Sequence, residues 1–204
     1  MKHINPAILQ NMCLSILAFL SYIATYGQEK PKDWRLKICL KEQNVSFAFP
    51  NDYIERDAGF NYDCWDATIA DGLVYSMVNI DSSVLIALSF NPYPSESMLS
   101  KIMWWNPSYD PDSSYIKTIR RLADTVNSKI NWHPKWSKKA KAEVCAAFSR
   151  NCRINVLEKY PNNRFVLFAK KGRGFFTIVY FYTDEAKPKI DNEINRTAGM
   201  LKFR

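Results

Sequence analysis

Ser114 and His133 are the two residues whose neighbours could support hydrolysis. The segment Ser114-Tyr115-Ile116-Lys117 matches the Ser-x-x-Lys pattern of penicillin-recognising enzymes, in which a helix brings the lysine beside the nucleophile. The Ser-Asp-Asn and Lys-Thr-Gly motifs of those enzymes are absent from the chain, and serine and lysine are common enough here for a chance match. His133 could act as a base, but no Gly-x-Ser-x-Gly motif supplies its nucleophile. A hydrolase using Ser114 or His133 is therefore an alternative and not the leading interpretation.

Metal and phosphate motifs are incomplete. The segment Asp110-Pro111-Asp112-Ser113-Ser114 begins like a calcium-binding loop, but Tyr115 stands where that loop needs glycine and Arg121 where it needs a bidentate acid. A helix capped by Asp112 explains the segment better. Lys171-Gly172-Arg173-Gly174 connects two predicted strands and does not open a helix, so it predicts a hairpin turn and not a nucleotide-binding loop. The sequence predicts neither a metal nor a cofactor.

The basic and aromatic stretch from Trp132 to Lys141 is the best candidate for a binding site. Its candidate residues are Trp132, His133, Lys135, Trp136, Lys138, Lys139 and Lys141. Aromatic rings stack on planar or sugar faces while lysines neutralise phosphate or carboxylate, so this mixture predicts an anionic glycan or lipid headgroup as ligand. The alternative is a loop whose tryptophans pack on the core and whose lysines are solvated. Trp104-Trp105 and the basic hairpin would extend this surface if the fold brings them together.

The N-terminus predicts export. Lys2 precedes an apolar run of 15 residues from Met12 to Tyr26, and small residues stand three and one before Gln28. This is the pattern of a Sec signal peptide comprising residues 1–27, cleaved near Gly27-Gln28, which places the mature protein in the periplasm or outside the cell. A retained anchor is the alternative, but a spanning helix needs about 20 apolar residues. No other segment is long and apolar enough to span a membrane.

Cysteine content agrees with an oxidising compartment. The disulfide candidates in the mature chain are Cys39, Cys64, Cys145 and Cys152. A turn at Arg150-Asn151 favours pairing of Cys145 with Cys152, which leaves Cys39 for Cys64. Four buried free thiols are the alternative. Zinc is a weaker one, because there is no Cys-x-x-Cys pair and His133 is the only histidine of the mature chain.

The charge of the chain favours anionic partners without identifying them. Loss of Lys2 with the signal peptide lowers the formal charge from +8 to +7. Nucleic acid is not expected as a partner, because exported proteins rarely meet it.

The order of predicted elements indicates an α+β protein. Apolar alternation predicts strands at Trp34–Lys41, Val45–Phe49, Leu73–Ile80, Val84–Phe90, Ala142–Phe148, Arg153–Glu158, Phe165–Lys170 and Phe175–Tyr182. Helical spacing predicts helices at Pro94–Trp105, from Asp112 through Ile130, and along Ile190, Ile194, Ala198 and Leu201. Short turns favour antiparallel neighbours. We therefore expect residues 28–204 to form a single sandwich-like domain with about six to eight strands, mainly antiparallel, and helices packed on the sheet.

Two segments of the chain resemble the Mog1/PsbP-like superfamily, which includes the periplasmic DcrB-type proteins. Val45-Ser46-Phe47-Ala48-Phe49-Pro50-Asn51-Asp52-Tyr53 is similar to the opening strand and proline turn of that family, and Phe165 to Arg204 is similar to its final hairpin and helix. Members are mostly binding or accessory proteins, so the resemblance implies binding rather than catalysis.

The sequence leaves three hypotheses for the function of the protein. The first is a non-enzymatic exported binding protein of the bacterial cell envelope with a protein partner, one version being an immunity protein that neutralises a toxin. The second is binding of an anionic glycan or lipid headgroup through Trp132 to Lys141. The third is the hydrolase that uses Ser114 or His133.

Overall fold

The computed structural model describes residues 34–56, 73–123, 130–149 and 159–204. Several expectations lie outside the described residues: the signal peptide, the strand Arg153–Glu158, and the two disulfide candidates Cys64 and Cys152. These stay predictions.

The described part of the chain contains five α-helices and nine strands. In chain order they are α1 (Trp34–Glu42), β1 (Val45–Phe47), β2 (Tyr53–Arg56), β3 (Tyr75–Asn79), β4 (Val84–Pro92), α2 (Glu96–Trp105), α3 (Ser114–Ala123), β5 (Asn131–Trp132), α4 (Pro134–Lys139), β6 (Val144–Phe148), β7 (Asn162–Lys170), β8 (Gly174–Tyr182), α5 (Ile190–Thr197) and β9 (Leu201–Phe203). Short 3-10 helices, Pro111–Ser113 and Lys187–Lys189, lead into α3 and α5.

Seven of the strands form one antiparallel sheet, in the order β2-β3-β4-β8-β7-β6-β5. Its centre is the pair β4 and β8, which stays in register from Val84 opposite Tyr182 to Pro92 opposite Gly174. The strands β1 and β9 form a separate two-stranded antiparallel sheet. The α+β class and the mainly antiparallel sheet are confirmed, and the seven strands of the main sheet lie within the predicted range.

Both faces of the large sheet are buried. Successive residues of a strand point to opposite faces, and the central strands therefore feed two apolar clusters. The first cluster includes Ile86, Leu88, Phe176, Ile178 and Tyr180, and the second includes Leu85, Ala87, Phe165, Leu167 and Val179. Leu36 of α1, Trp136 of α4, Ile190 and Ile194 of α5 and Phe203 of β9 join the first cluster, whereas Ile119 of α3 joins the second. The C-terminal helix and strand thus lie on one face and α3 on the other.

The predicted strand Trp34–Lys41 is wrong, because this segment forms α1. Its apolar residues alternate, but burial follows helical spacing: Leu36 is buried and Leu40 packs against the first cluster, whereas Ile38 is 46% exposed. Residues four apart share a helix face and residues two apart do not. The alternation at positions 34 to 40 therefore reflects one buried helix face plus an exposed isoleucine.

The ends of two predicted helices also differ from the structure. Asp110, not Asp112, caps the turn before α3, since its side chain accepts a hydrogen bond from the Asp112 amide. Asp112 instead accepts one from the Gly172 amide at 2.7 Å. Ile130 precedes strand β5 and Leu201 belongs to β9, so neither continues the helix predicted to include it.

Gln43 and Gly174 meet at one end of the central pair of strands. Gln43, fully buried after α1, donates from its Nε2 to the carbonyl oxygens of Asn91 and Phe175, both at 2.7 Å. Gly174 has a φ of +80°, and a Cβ there would overlap the same Asn91 oxygen and lie 2.8 Å from the Pro92 carbonyl carbon. The central pair therefore requires a residue without a side chain at position 174.

The two glycines of the β7–β8 hairpin give a matched test of this requirement. Gly172→Ala is expected to cost about 1 kcal/mol, because Gly172 has a φ of +65° but open space around it. Gly174→Ala is expected to cost at least about 3 kcal/mol, because backbone strain is added to a collision with strand β4. Chemical unfolding of the two variants measures both costs. Equal costs would contradict the close approach of β4 to Gly174.

Candidate functional site

The structure does not bring Ser114 and His133 together. Ser114 begins α3 on the second-cluster side of the sheet, and its hydroxyl donates to the Pro111 carbonyl at 2.7 Å. His133 precedes α4, and its ring stacks on the first-cluster residue Trp136 with centroids 3.8 Å apart. The two residues lie on opposite faces of the sheet, so they do not form a nucleophile and base pair.

His133 favours the neutral imidazole. Burial lowers its pKa below the usual range; Asp191 acts in the opposite direction and Arg164 in the same one. Its Nε2 atom is buried and has no hydrogen-bond partner among the described residues. The main contact of the ring is its stacking on Trp136.

The basic and aromatic stretch is divided by α4. Trp136 is buried in the first cluster, whereas Trp132 is exposed on the edge strand β5. The remaining candidates of the stretch, Lys135, Lys138, Lys139 and Lys141, are exposed. One tryptophan therefore anchors α4 to the core, and the lysines project from the end of a short helix.

Lys139 lies in a cavity. The cavity has a volume of about 470 Å³, and we call it the cationic groove. Its lining residues are Ala48, Phe49, Pro50, Asn51, Lys139, Arg196, Thr197, Gly199, Met200 and Lys202. These residues come from the loop after β1, the end of α4, the end of α5, and β9. The described lining residues include three cations and no carboxylate.

Backbone hydrogen bonds join the segments of the groove. The Ala48 amide donates to the Met200 carbonyl at 2.8 Å, and the Phe203 amide donates to the Ala140 carbonyl at 2.9 Å. Because of these bonds, the loop after β1 lies against the end of α5, and β9 lies against the end of α4. The groove is thus built on the ordered backbone of four elements.

Two lysines flank Gly199 in the groove. A Cβ built on Gly199 would lie 3.5 Å from Cβ of Lys139 and 3.6 Å from Cε of Lys202. Lys139 donates from Nζ to the Asn195 carbonyl oxygen at 2.5 Å and to Asn195 Oδ1 at 2.8 Å. Both acceptors are neutral, so these two contacts do not cancel the positive charge of Lys139. Lys202 is exposed on β9 between the buried Leu201 and Phe203.

Arg196 is the third cation, and two carboxylates neutralise it. It donates from Nη1 to Asp52 at 2.7 Å and from Nη2 to Glu193 at 2.6 Å. Hydrogen bonding to Glu193 raises the pKa of its guanidinium above the usual value. Glu193 also accepts a 2.5 Å hydrogen bond from the Tyr53 hydroxyl. Arg196 therefore forms a fixed wall of the groove. Among the described lining residues, the remaining positive charge of the groove comes from Lys139 and Lys202.

An aromatic ring gives the groove an apolar surface in addition to its cations. Phe49 is 40% exposed, and its ring packs edge-on against Phe47 with centroids 6.1 Å apart. Phe47 packs in the same way against Tyr75 of the first cluster, at 5.7 Å. The exposed phenyl ring is thus the outermost member of a packed series that begins in the core. Pro50 and the buried Met200 also line the groove.

A second cavity of about 430 Å³ has mixed charge. Asp81, Glu185 and Glu193 line it together with Lys189 and Arg196, so Arg196 borders both cavities. Within the described ranges, no group of three or more histidine, cysteine or acidic residues is placed to hold a metal ion. The second cavity therefore carries three acids and two cations, and its charge is mixed where that of the cationic groove is of one sign.

The helix α2 presents an apolar surface. None of its ten residues is buried, and Trp104 and Trp105 are 74% and 80% exposed. Met98 and Met103 are exposed as well. Large exposed apolar surfaces are often interaction sites. The helices in the described residues are all too short or too polar to span a membrane.

Most residues of the cationic groove have no signal in the sequence. Lys139 belongs to the predicted binding stretch, but Gly199 and Lys202 stand in an ordinary C-terminal sequence. Phe49 and Pro50 are noticeable only as the end of a predicted strand. The hydrogen bonds that unite these segments connect residues more than 60 positions apart, which local patterns do not reveal.

Comparisons with known proteins give a distant structural resemblance. No protein-family model matches the chain, and no curated protein sequence matches it significantly. The structure is similar to the solution structure of cyanobacterial PsbP (CyanoP) from Synechocystis sp. PCC 6803, with 9% sequence identity and a TM-score of 0.40 over 80% of this chain and 88% of that chain. These values describe a distant resemblance to the PsbP-like fold and indicate nothing about ligand or activity.

Cys145 is expected to resist alkylation in the native protein. It is a buried thiol on β6, and burial raises its pKa to about 12. Because the thiolate is the nucleophile, only roughly one molecule in ten thousand is reactive at pH 8. Iodoacetamide treatment followed by mass spectrometry measures this, with guanidinium-unfolded protein as the control.

The same experiment tests the predicted pairing of Cys145 with Cys152. Labelling of Cys145 in denaturant without a reductant indicates a free thiol, whereas labelling only after reduction indicates a disulfide. Rapid labelling of Cys145 in the native protein would contradict both its burial and its raised pKa.

Proposed function

We propose that this protein is a non-enzymatic binding protein that takes an anionic group into the cationic groove. The observation that carries the proposal is the position of Lys139 and Lys202 on either side of Gly199, with no carboxylate among the described lining residues. Ammonium groups attract carboxylate or phosphate and donate charge-assisted hydrogen bonds to them. Binding is favoured over catalysis because Ser114 and His133 lie apart from each other and outside the groove lining.

We place this activity outside the cytoplasm. The support is the apolar run before Gln28 and the even number of cysteines expected after cleavage. Anionic glycans, lipid headgroups and small organic acids all occur there. All of these ligands carry a compact anionic group, and the positive charge of the groove would attract such a group.

The two lysines of the groove are expected to determine anion binding. Titration of the native protein with inorganic phosphate should shift the NMR signals of the Gly199, Met200 and Lys202 amides. The double variant Lys139→Gln/Lys202→Gln should bind at least about tenfold more weakly, since it loses two charge-assisted contacts. Added chloride should weaken binding to the native protein, because screening reduces the attraction.

A matched variant separates the groove from overall charge. Lys117→Gln/Arg120→Gln removes the same charge from the exposed surface of α3, on the other face of the sheet, and should leave binding unchanged. Gly199→Leu keeps both lysines but fills the space between them, and it should abolish the shifts. Equal weakening by the two charge variants would overturn the proposed site.

A protein partner is the second candidate function. The observation that favours it is the surface of α2, where Trp104 and Trp105 are exposed beside Met103. Exposed indole rings are frequent anchors of protein interfaces. An apolar contact of this kind depends little on salt, unlike anion binding in the groove.

This second function predicts a partner whose binding depends on α2. Tagged protein isolated from its native cells should retain a stoichiometric protein partner at high salt. The variant Trp104→Ser/Trp105→Ser should lose the partner, whereas Ile54→Ser/Ile80→Ser, which removes two exposed apolar side chains elsewhere, should keep it. Retention by both variants would exclude α2 as the contact.

A further inference from the structure

We infer that the ligand of the cationic groove is an amphiphilic anion, with one carboxylate or phosphate group between Lys139 and Lys202 and an apolar chain or ring against Phe49. This inference rests on the proposed function and specifies its ligand. It follows from the unequal distribution of charge and apolar surface along the groove.

The lysine end of the groove accommodates one compact anionic group. A Cβ placed on Gly199 would lie 3.5 Å from Cβ of Lys139 and 3.6 Å from Cε of Lys202, so the carbon stems of both lysines border this part of the groove. An ammonium group has three donors, and Lys139 uses two of them on Asn195, so one remains for a ligand. Gly199 places no side chain of its own between the two lysine stems. This geometry suits a single carboxylate or phosphate.

The arginine end of the groove disfavours a second anionic group. Arg196 contributes one positive charge, but Asp52 and Glu193 contribute two negative charges in contact with it. The local balance is therefore negative, and a polyanion extending from the lysines toward Arg196 would meet repulsion. Beyond its anionic head, a ligand that fills this groove should be uncharged.

The apolar lining gives that uncharged part a surface to cover. Phe49, held edge-on by Phe47, has 40% of its area exposed. Covering such a ring removes apolar area from water and is favourable in proportion to that area. Met200 also lines the groove but is buried in the first cluster, so Phe49 provides the exposed apolar surface.

The size of the groove agrees with a small ligand. Its volume of about 470 Å³ falls in the range of a few hundred to about 1,000 Å³ that is usual for small-molecule sites. A medium-length acyl chain or an aromatic ring with one acidic group fits this space, whereas a polymer would occupy it with a single unit.

Calorimetry with three probes tests the inference: octanoate below its micelle concentration, acetate, and 1-octanol. Octanoate should bind the native protein at least about tenfold more tightly than either of the others, because only it contacts both parts of the groove. Phe49→Ser should reduce octanoate binding to the level of acetate and leave acetate binding unchanged. Ile80→Ser, which removes an exposed apolar side chain outside the groove, should bind octanoate like the native protein.

The outcomes separate this inference from the proposed function. Equal binding of octanoate and acetate, with both lost in Lys139→Gln/Lys202→Gln, would overturn the amphiphile and leave the anion site intact. No binding of any anionic probe, including inorganic phosphate, would overturn both. Binding to phosphatidylglycerol vesicles without binding of monomeric octanoate would assign the anion to a membrane surface and overturn the inference. Thermal unfolding of each variant establishes that it is folded.

Discussion

The close pairing of β4 with β8 is the constraint on which the rest of this structure depends. The two strands stay in register over their whole length, and at one end the β8 backbone lies so near β4 that only glycine fits at position 174. Gln43 closes the same end by donating to one carbonyl oxygen of each strand. The long pair presents an apolar face on each side of the sheet. Helices and the small sheet pack on one or the other of these faces.

The groove follows from this arrangement through a small number of contacts. The buried hydroxyls of Tyr180 and Thr197 are 2.8 Å apart, and this contact sets the end of α5 against β8. The turn after α5 then brings Gly199 beside the end of α4. Strand β9 continues from there and pairs with β1, which positions the loop containing Phe49. Residues from widely separated parts of the sequence therefore meet because the central strands fix the layer that carries them.

The sequence predicts the central strands well because apolar runs and turn residues are local signals. Phe165 to Lys170 and Phe175 to Tyr182 flank a glycine-containing turn, and the structure has that hairpin. The segment Trp34 to Lys41 misleads because its short apolar alternation fits a strand, while tertiary packing selects a helix. Composition also does not show which tryptophan is buried. Trp136 anchors α4 in the core, and its neighbour Trp132 does not. The groove itself arises from long-range contacts, so only Lys139 of its cations belongs to a predicted binding stretch.

The pairing of β1 with β9 joins the two ends of the described chain. Ser46 and Lys202 face each other across 156 positions of sequence, and the Arg204 amide donates to the Asn44 carbonyl. Closing so long a loop is among the slowest steps available to a chain of this size. Without this pairing, β1 has no partner strand and Lys202 is not held beside Gly199. The groove is therefore complete only when the two ends of the described chain have paired.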